Sequence, residues 1–198
     1  KAEGDTPAVL IAFASREGQT RKICAHAARH LEAQGCTTQL IDLTLGAPDT
    51  WVSGCDAALV AGSIHRGRMD QSLLSFLMRN GAALGRVPTG FMSVSLSAAA
   101  VDAGSRAALD ELTSQLLYDV GWHPDQILHV AGAVDPEQLN LLERAAVHAV
   151  MMHRGVPLDS HGPTELTDWT QVDAFVGELL ARLPGRTAMP AASSDQTA

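Results

Sequence analysis

Hydrophobic and polar residues follow two periods along this chain. Short apolar runs bounded by turn residues are typical of buried strands; five such runs cover residues 9–15, 37–43, 57–64, 89–97 and 126–134. Between them, apolar residues recur every three or four positions, which predicts amphipathic helices; these cover residues 20–34, 72–80, 105–120 and 136–154, and a last helix follows Asp168. We expect Gly35 and Gly81 to end the first two helices, and Asp168 to cap the last.

The alternation of strands and helices predicts the fold class. Parallel strands joined by right-handed helical crossovers form a sheet that is covered by helices on both faces. We therefore expect an α/β protein, a three-layer αβα sandwich with a five-stranded parallel sheet. In such sheets, ligands bind beyond the carboxyl ends of the strands, where the strand order reverses. Candidate functional residues are thus expected in the turns after the first, third and fourth strands.

Length, charge and apolar content exclude several kinds of protein. The 198 residues suit one domain, which we expect over residues 8–183, with residues 1–7 and 184–198 as flexible tails. The net charge of −8 argues against a nucleic-acid-binding surface. No apolar run is long enough to span a membrane, and the acidic N-terminal segment is unlike a secretory signal, so we expect a cytoplasmic protein. The three cysteines are too few for a disulfide framework.

The turn after the first strand has the composition of an anion-binding loop. It consists of Ser15, Arg16, Glu17, Gly18, Gln19 and Thr20, and it leads directly into a helix. The glycine lets the backbone approach a ligand closely, the two hydroxyls can donate hydrogen bonds, and the helix N-terminus favours a phosphate. The loop lacks the lysine of a Walker loop and the three glycines of a dinucleotide-binding fingerprint. A purely structural turn of this composition is the alternative.

Further motifs occur along the chain in the same order as in a known family. They are FASREGQT (13–20), GSIHRG (62–67), SVSL (93–96), WHPD (122–125), AGA (131–133) and DWTQVDAF (168–175). Together they resemble the menaquinone-dependent protoporphyrinogen IX dehydrogenase branch of the flavodoxin-like proteins, over residues 8–183. The resemblance implies a flavodoxin fold, bound FMN, and the transfer of reducing equivalents from a porphyrinogen to a quinone in heme biosynthesis.

The resemblance also implies which residues contact FMN. Its phosphate would lie on residues 15–20, and the rest of the cofactor on the turns after the third and fourth strands, at Ser63, Ile64, His65, Arg66, Gly67, Ser95, Leu96 and Ser97. His65, Arg66 and Arg68 are candidates for a catalytic role, because a guanidinium pairs with the carboxylates of a porphyrinogen and a cation stabilises reduced flavin. The alternative for the two arginines is that they are solvated loop charges.

Two features of the chain bear on the class of flavoprotein. The flavin-facing turns contain no Phe, Trp or Tyr, which leaves a face of the ring open to a substrate and favours an enzyme over a one-electron carrier. A flavodoxin-like quinone or small-molecule reductase and an electron-transfer module are the alternatives. The segments after the fourth and fifth strands carry little positive charge, so we expect at most weak peripheral contact with a membrane. A homo-oligomer is left open.

Two other groups of residues are weaker candidates for a site. His26 and His30 have the i, i+4 spacing of metal ligands, but they lack a third ligand nearby in the sequence, so we expect a solvated face and no metal. Ser93, Ser95 and Ser97 lack the nucleophile elbow of serine hydrolases, and we interpret them as polar positions beside a ligand.

Overall fold

The computed structural model describes residues 6–46, 52, 54–65, 67–99, 102–134, 152 and 164–183. Its strands are β1 (Ala8–Ala14), β2 (Thr37–Asp42), β3 (Ala57–Ser63), β4 (Thr89–Ser95), β5 (Gln126–Ala131), β6 (Ala133–Val134) and β7 (Thr164–Glu165). Its helices are α1 (Gln19–Ala33), α2 (Gln71–Leu84), α3 (Ala103–Asp119) and α4 (Trp169–Ala181). The five predicted strands are present, and so are the predicted helices that fall within the described residues.

The five long strands form one parallel sheet in the order β2-β1-β3-β4-β5. β2 lies on one side of β1 and β3 lies on the other, so the strand order reverses beside β1. The carboxyl ends of β1 and β3 are directly paired there, as Ala14 is with Gly62. The predicted α/β fold with a five-stranded parallel sheet is confirmed.

Alternate residues of each central strand pack against different helices. On β1, Val9 and Ile11 belong to a core shared with α1 and α4, whereas Leu10 and Ala12 belong to a second core shared with α2 and α3. Every residue from Val9 to Ala14 is at most 2% exposed. Burial on both faces explains why these strands are continuous apolar runs in the sequence.

The helices begin in two different ways. Asp70, Asp102 and Asp168 cap α2, α3 and α4, because each carboxylate accepts a backbone N–H of the first helical turn. The cap predicted at Asp168 is thereby confirmed. α1 instead begins after Gly18, which has no side chain to cap it. The predicted end of α1 is also confirmed, since Gly35 follows it with a φ of 78°.

α2 is longer than the sequence pattern predicts. It continues past Gly81 to Leu84, so the prediction that Gly81 ends this helix is wrong. Leu84 is fully buried and extends the apolar face of the helix. A Cβ at Gly81 would lie 3.7 Å from Trp122 Cβ, an ordinary van der Waals distance, so this position of α2 packs next to Trp122.

The predicted fifth strand is divided at Gly132. β5 ends at Ala131, and Gly132 donates to Ser95 O at 3.3 Å and accepts from Leu166 N at 3.1 Å. β6 then pairs antiparallel with β7 in a separate two-stranded sheet. The prediction of one strand over residues 126–134 is therefore wrong, and the division brings residues 164–168 to the carboxyl edge of the main sheet.

Smaller differences concern the other strand ends. β1 ends at Ala14 rather than at residue 15, and β4 ends at Ser95, after which residues 97–99 form a short 3-10 helix. Apart from Met152, the helix predicted over residues 136–154 lies outside the described residues, as do residues 1–5 and 184–198 of the predicted tails.

Candidate functional site

The predicted turns after β1, β3 and β4 lie side by side at one edge of the sheet. The three strands are neighbours and parallel, so their carboxyl ends meet at the same edge. The turn after β3 is bonded directly to β4, because Ile64 N donates to Val94 O at 2.8 Å. The structure therefore brings together the turns that the sequence predicts for one ligand. Arg66 lies outside the described residues.

The β1–α1 loop (residues 15–20) turns at Gly18. This residue has a φ of 89°, a left-handed conformation that other residues rarely adopt. Ser15 Oγ accepts hydrogen bonds from Gly18 N at 3.2 Å and from Arg21 N at 3.4 Å, which closes the loop from within. The first N–H groups of a helix have no partner within the helix. Within the described part of the chain, those of Gln19 and Thr20 have no hydrogen-bond partner.

The side chains of this loop differ in their surroundings. Thr20 is only 2% exposed, whereas Arg16 and Glu17 are exposed. Arg16 Nε donates to Asp70 Oδ2 at 3.1 Å. Hydrogen bonds from the backbone N–H and the hydroxyl of Ser72, and then the Arg16 guanidinium, hold the pKa of Asp70 below its ordinary value. Arg16 thus lies at the rim of the loop, paired with the residue that caps α2.

Gln19 contacts a residue that the sequence analysis missed. Its Nε2 donates to Thr167 Oγ1 at 2.9 Å, and the Thr167 hydroxyl donates to Ala131 O at 2.8 Å. Thr167 lies 148 positions from Gln19 in the sequence. No local sequence pattern identifies Thr167 as a partner of Gln19, because the pattern next to it, the helix cap at Asp168, indicates only where a helix begins.

The turn after β3 is a tight one. His65 N donates to Arg68 O at 2.9 Å, and Arg68 N donates to His65 O at 3.1 Å. Gly67 supplies the left-handed conformation that this turn requires, with a φ of 73°. The side chains of His65 and Arg68 are exposed, while Ser63 and Ile64 are largely covered. The turn therefore presents an imidazole and a guanidinium to solvent beside the β1–α1 loop.

The turn after β4 is shaped by its first residue. Ser95 is 7% exposed, and its Oγ accepts from Ala98 N at 3.2 Å. Leu96 is half-buried and Ser97 is exposed. The Ser95 hydroxyl is therefore an acceptor within its own turn, and Ser97 is exposed to solvent at the sheet edge.

Ser93, His129 and Asp110 form a hydrogen-bonded chain that the sequence analysis did not predict. Ser93 Oγ is bonded to His129 Nδ1, and His129 Nε2 lies 2.8 Å from Asp110 Oδ1. The residue types match those of a hydrolase triad. Ser93 is fully buried, however, so no substrate can reach its hydroxyl. The chain links α3 to β4 and β5 and is a structural contact.

His26 and His30 lie at a contact between two helices. His26 Nε2 is 2.7 Å and His30 Nδ1 is 3.1 Å from the same oxygen, Asp173 Oδ1 on α4. The His26 ring also packs against Trp169, at 4.6 Å between centroids. The expected solvated face is therefore wrong, because each imidazole is only 29% exposed. In the part of the chain that the structure describes, no three His, Cys, Asp or Glu residues form a metal-binding group.

Comparison with known proteins agrees with this architecture. A family model described as a flavodoxin domain matches residues 10–160. The chain belongs to this flavodoxin family. Protoporphyrinogen IX dehydrogenase [quinone] of Escherichia coli K12 is 25% identical over 170 residues, which cover 86% of this chain and 93% of the relative. The protein of the same name from Leishmania major is 24% identical over 178 residues, which cover 89% of this chain and 76% of the relative.

Solved structures share the same fold at low sequence identity. A Streptococcus pneumoniae TIGR4 flavodoxin is 15% identical with a TM-score of 0.54, covering 89% of this chain and 99% of the flavodoxin. The match to rubredoxin oxygen:oxidoreductase of Desulfovibrio gigas has 14% identity and a TM-score of 0.52; it covers 89% of this chain but only 37% of that longer protein. Among the described residues, we find no helix with the length and apolar content to cross a membrane.

Proposed function

We propose that the protein binds FMN and passes reducing equivalents from a porphyrinogen to a quinone. The observation that carries this proposal is the left-handed Gly18 at the uncapped start of α1, at the point where the strand order reverses. Flavodoxin-like sheets bind FMN at this point. The E. coli and L. major relatives, which match most of this chain, support the porphyrinogen and the quinone as substrates.

The β1–α1 loop fits the phosphate of FMN. A phosphate dianion needs several donors at once, and a helix N-terminus supplies backbone N–H groups together with a favourable dipole. No acidic residue lies in the first turn of α1, and among the described residues no heavy atom lies within 4 Å of the position where a Gly18 Cβ would project. The phosphate would therefore bind to the hydroxyls of Ser15 and Thr20 and to the N–H groups of Gln19 and Thr20.

Arg16 and Glu17 would affect the phosphate through their charges rather than by surrounding it. Both side chains are exposed. The Arg16 guanidinium keeps donors besides the Nε that Asp70 occupies, so it can approach the phosphate from the rim of the loop. Glu17 precedes the first turn of α1, and its side chain is exposed. Water would therefore screen its repulsion of the phosphate.

The turns after β3 and β4 would flank the isoalloxazine ring. Bound FMN would accept reducing equivalents from one substrate and deliver them to the other. Residues 63–67 and 95–97 include no Phe, Trp or Tyr that could stack on the ring. A flat substrate could therefore lie against the exposed face of the flavin.

His65, Arg66 and Arg68 would orient the porphyrinogen. A guanidinium forms paired hydrogen bonds with a carboxylate, and the porphyrinogen carries propionates. The Arg68 side chain is exposed, while its backbone N–H and C=O are bonded to His65. The turn can therefore present the guanidinium without changing shape. His65 could accept a proton at the same turn.

Cofactor release followed by a turnover assay tests the proposal. The purified protein is denatured, and the released flavin is identified by mass spectrometry. The holoprotein is then incubated with protoporphyrinogen IX and a menaquinone analogue, and the fluorescence of protoporphyrin is followed. We expect FMN and a rate that depends on both substrates. FAD, or no flavin at all after reconstitution, would contradict the cofactor; quinone reduction with a nicotinamide donor alone would favour a quinone reductase.

A further inference from the structure

The first turn of α1 is tied to residues 164–169, which we call the strap. Gln19 Nε2 donates to Thr167 Oγ1 at 2.9 Å. Lys22 forms an ion pair with Glu165, and its Nζ lies 5.6 Å from the centroid of the Trp169 ring. Three side-chain contacts thus join the start of α1 to a segment that is remote in the sequence.

The strap is also bonded to the end of β5 and, through Gly132, to the end of β4. The Thr167 hydroxyl donates to Ala131 O at 2.8 Å, at the end of β5. Leu166 N donates to Gly132 O at 3.1 Å, and Gly132 N donates to Ser95 O at 3.3 Å, at the end of β4. The strap therefore connects the β1–α1 loop, which we propose for the phosphate, to the turn after β4, which we propose for the flavin ring.

Thr167 is the residue in which these two sets of contacts meet. A threonine hydroxyl has one proton, and here that proton goes to Ala131 O. Its oxygen must then accept from Gln19, which fixes the orientation of the Gln19 amide. Valine has nearly the same shape but can neither donate nor accept, whereas serine can do both. The contact can therefore be removed and restored with little change in volume.

We propose that Thr167 is a positioning residue that acts through Gln19 to hold the β1–α1 loop in its phosphate-binding conformation. The proposal rests on the FMN-binding function proposed above. Gln19 is the first residue of α1, and its backbone N–H is among the groups left for the phosphate. Ordering this residue before the ligand arrives reduces the entropy that binding must otherwise cost. This ordering would strengthen the binding of the phosphate group and leave the binding of the flavin ring unchanged.

Affinity for FMN is therefore compared with affinity for riboflavin, which lacks the phosphate. Both are measured on the apoprotein by quenching of flavin fluorescence. We expect Thr167→Val to weaken FMN binding about three- to tenfold, the effect of one lost hydrogen bond. Riboflavin binding is expected to change less than twofold, and Thr167→Ser is expected to restore the wild-type ratio.

Thr89→Val is the matched control. The Thr89 hydroxyl also both donates and accepts, to Asp125 Oδ2 at 3.1 Å and from Asp125 N at 3.2 Å, but at the opposite edge of the sheet. We expect this variant to lose stability while the ratio of FMN to riboflavin affinity stays unchanged. Gln19→Met is a second variant; it is expected to match Thr167→Val, and the two substitutions together should cost no more than either alone.

The outcomes separate the inference from the function on which it rests. A wild-type protein that binds riboflavin as tightly as FMN would overturn the proposed phosphate site, and the inference with it. A wild-type preference for FMN that Thr167→Val leaves unchanged would overturn the inference alone. Equal weakening of FMN and riboflavin in Thr167→Val would also overturn it, because Thr167 would then only stabilise the fold.

Discussion

Arg16 Nε lies 3.1 Å from Asp70 Oδ2, and this contact joins the β1–α1 loop to the start of α2. Asp70 also caps α2, because its Oδ1 accepts from Ser72 N at 3.0 Å. One carboxylate thus orders a helix and positions a guanidinium beside the loop that we propose for the phosphate. The Arg16 side chain is 63% exposed, so the pair contributes little to stability. The main effect of the pair is to set the position of the Arg16 guanidinium.

Asp70→Asn is expected to strengthen FMN binding. Asparagine is also a good helix cap, so the substitution removes the charge, frees Arg16 to approach the phosphate, and retains α2. We expect the affinity for FMN to rise about two- to fivefold at low ionic strength, and less in high salt. Fluorescence titration at two salt concentrations measures this effect.

Asp125→Asn serves as the control for that variant. It removes a carboxylate at the opposite edge of the sheet, where Asp125 accepts from Thr89 N at 2.7 Å. We expect no change in FMN affinity. A weaker affinity in Asp70→Asn would instead mean that Arg16 needs Asp70 to reach the phosphate.

Asp70 also predicts how stability depends on pH. Its pKa is held below the ordinary value, first by the hydrogen bond from the Ser72 backbone N–H. A carboxyl group whose pKa is lower in the folded state stabilises the protein above its unfolded pKa of about 4, and this contribution is lost as the pH falls through the folded pKa. Wild type should therefore lose more stability than Asp70→Asn when acidified below about pH 4. Urea unfolding of both proteins across this range checks the difference; parallel curves would contradict it.

Thr20→Val tests the phosphate site directly. Thr20 is buried and valine has nearly the same shape, so we expect the fold to persist while one hydrogen bond to a charged group is lost. Such a bond contributes about 1.5–3 kcal/mol, so FMN should bind roughly 10- to 100-fold more weakly. Thr113→Val is the control, because the buried Thr113 hydroxyl has no hydrogen-bond partner in the described structure. Unchanged FMN affinity in Thr20→Val would refute the assignment.

Gly62→Ala is expected to destabilise the protein. A Cβ at Gly62 would lie 2.2 Å from Leu73 Cδ2, and Leu73 is fully buried in the core beneath α2. We expect the free energy of unfolding to fall by about 1–3 kcal/mol, as for other overpacked cores. Gly177→Ala, in the exposed face of α4 with no heavy atom within 4 Å among the described residues, should instead stabilise the protein by about 0.5–1 kcal/mol. Chemical denaturation measures both, and equal effects would contradict the packing argument.

Arg68→Ala tests the proposed contact with the porphyrinogen. The backbone of Arg68 shapes its turn while the side chain is exposed, so truncation should leave FMN affinity unchanged. We expect the KM for the porphyrinogen to rise roughly tenfold, the effect of a lost charged hydrogen bond, and Arg66→Ala to act in the same direction. Arg86→Ala, at the opposite edge of the sheet, is the control. Wild-type kinetics in Arg68→Ala would mean that Arg68 is only a solvated loop charge.

Glycines show how far the local sequence can be interpreted. Gly18 adopts a left-handed conformation at the start of α1, while its predicted close approach to a ligand stays a prediction. Gly81 was predicted to end a helix, but it lies inside α2, close to Trp122. Gly132 was predicted to lie within a strand, but it divides that strand because its N–H and C=O bond to Ser95 and Leu166. A glycine permits several conformations, and its distant neighbours select one of them.

The sequence by itself determined the strands, most of the helices, the fold class and the position of the β1–α1 loop. These features leave local marks, because burial on both faces requires an uninterrupted apolar run and a helix face repeats every three to four residues. Only the tertiary structure decided the partners of the polar side chains that pair over long sequence separations. Arg16 meets Asp70 across 54 positions, and Gln19 meets Thr167 across 148. Such pairs depend on strand order and register, which the apolar pattern does not encode.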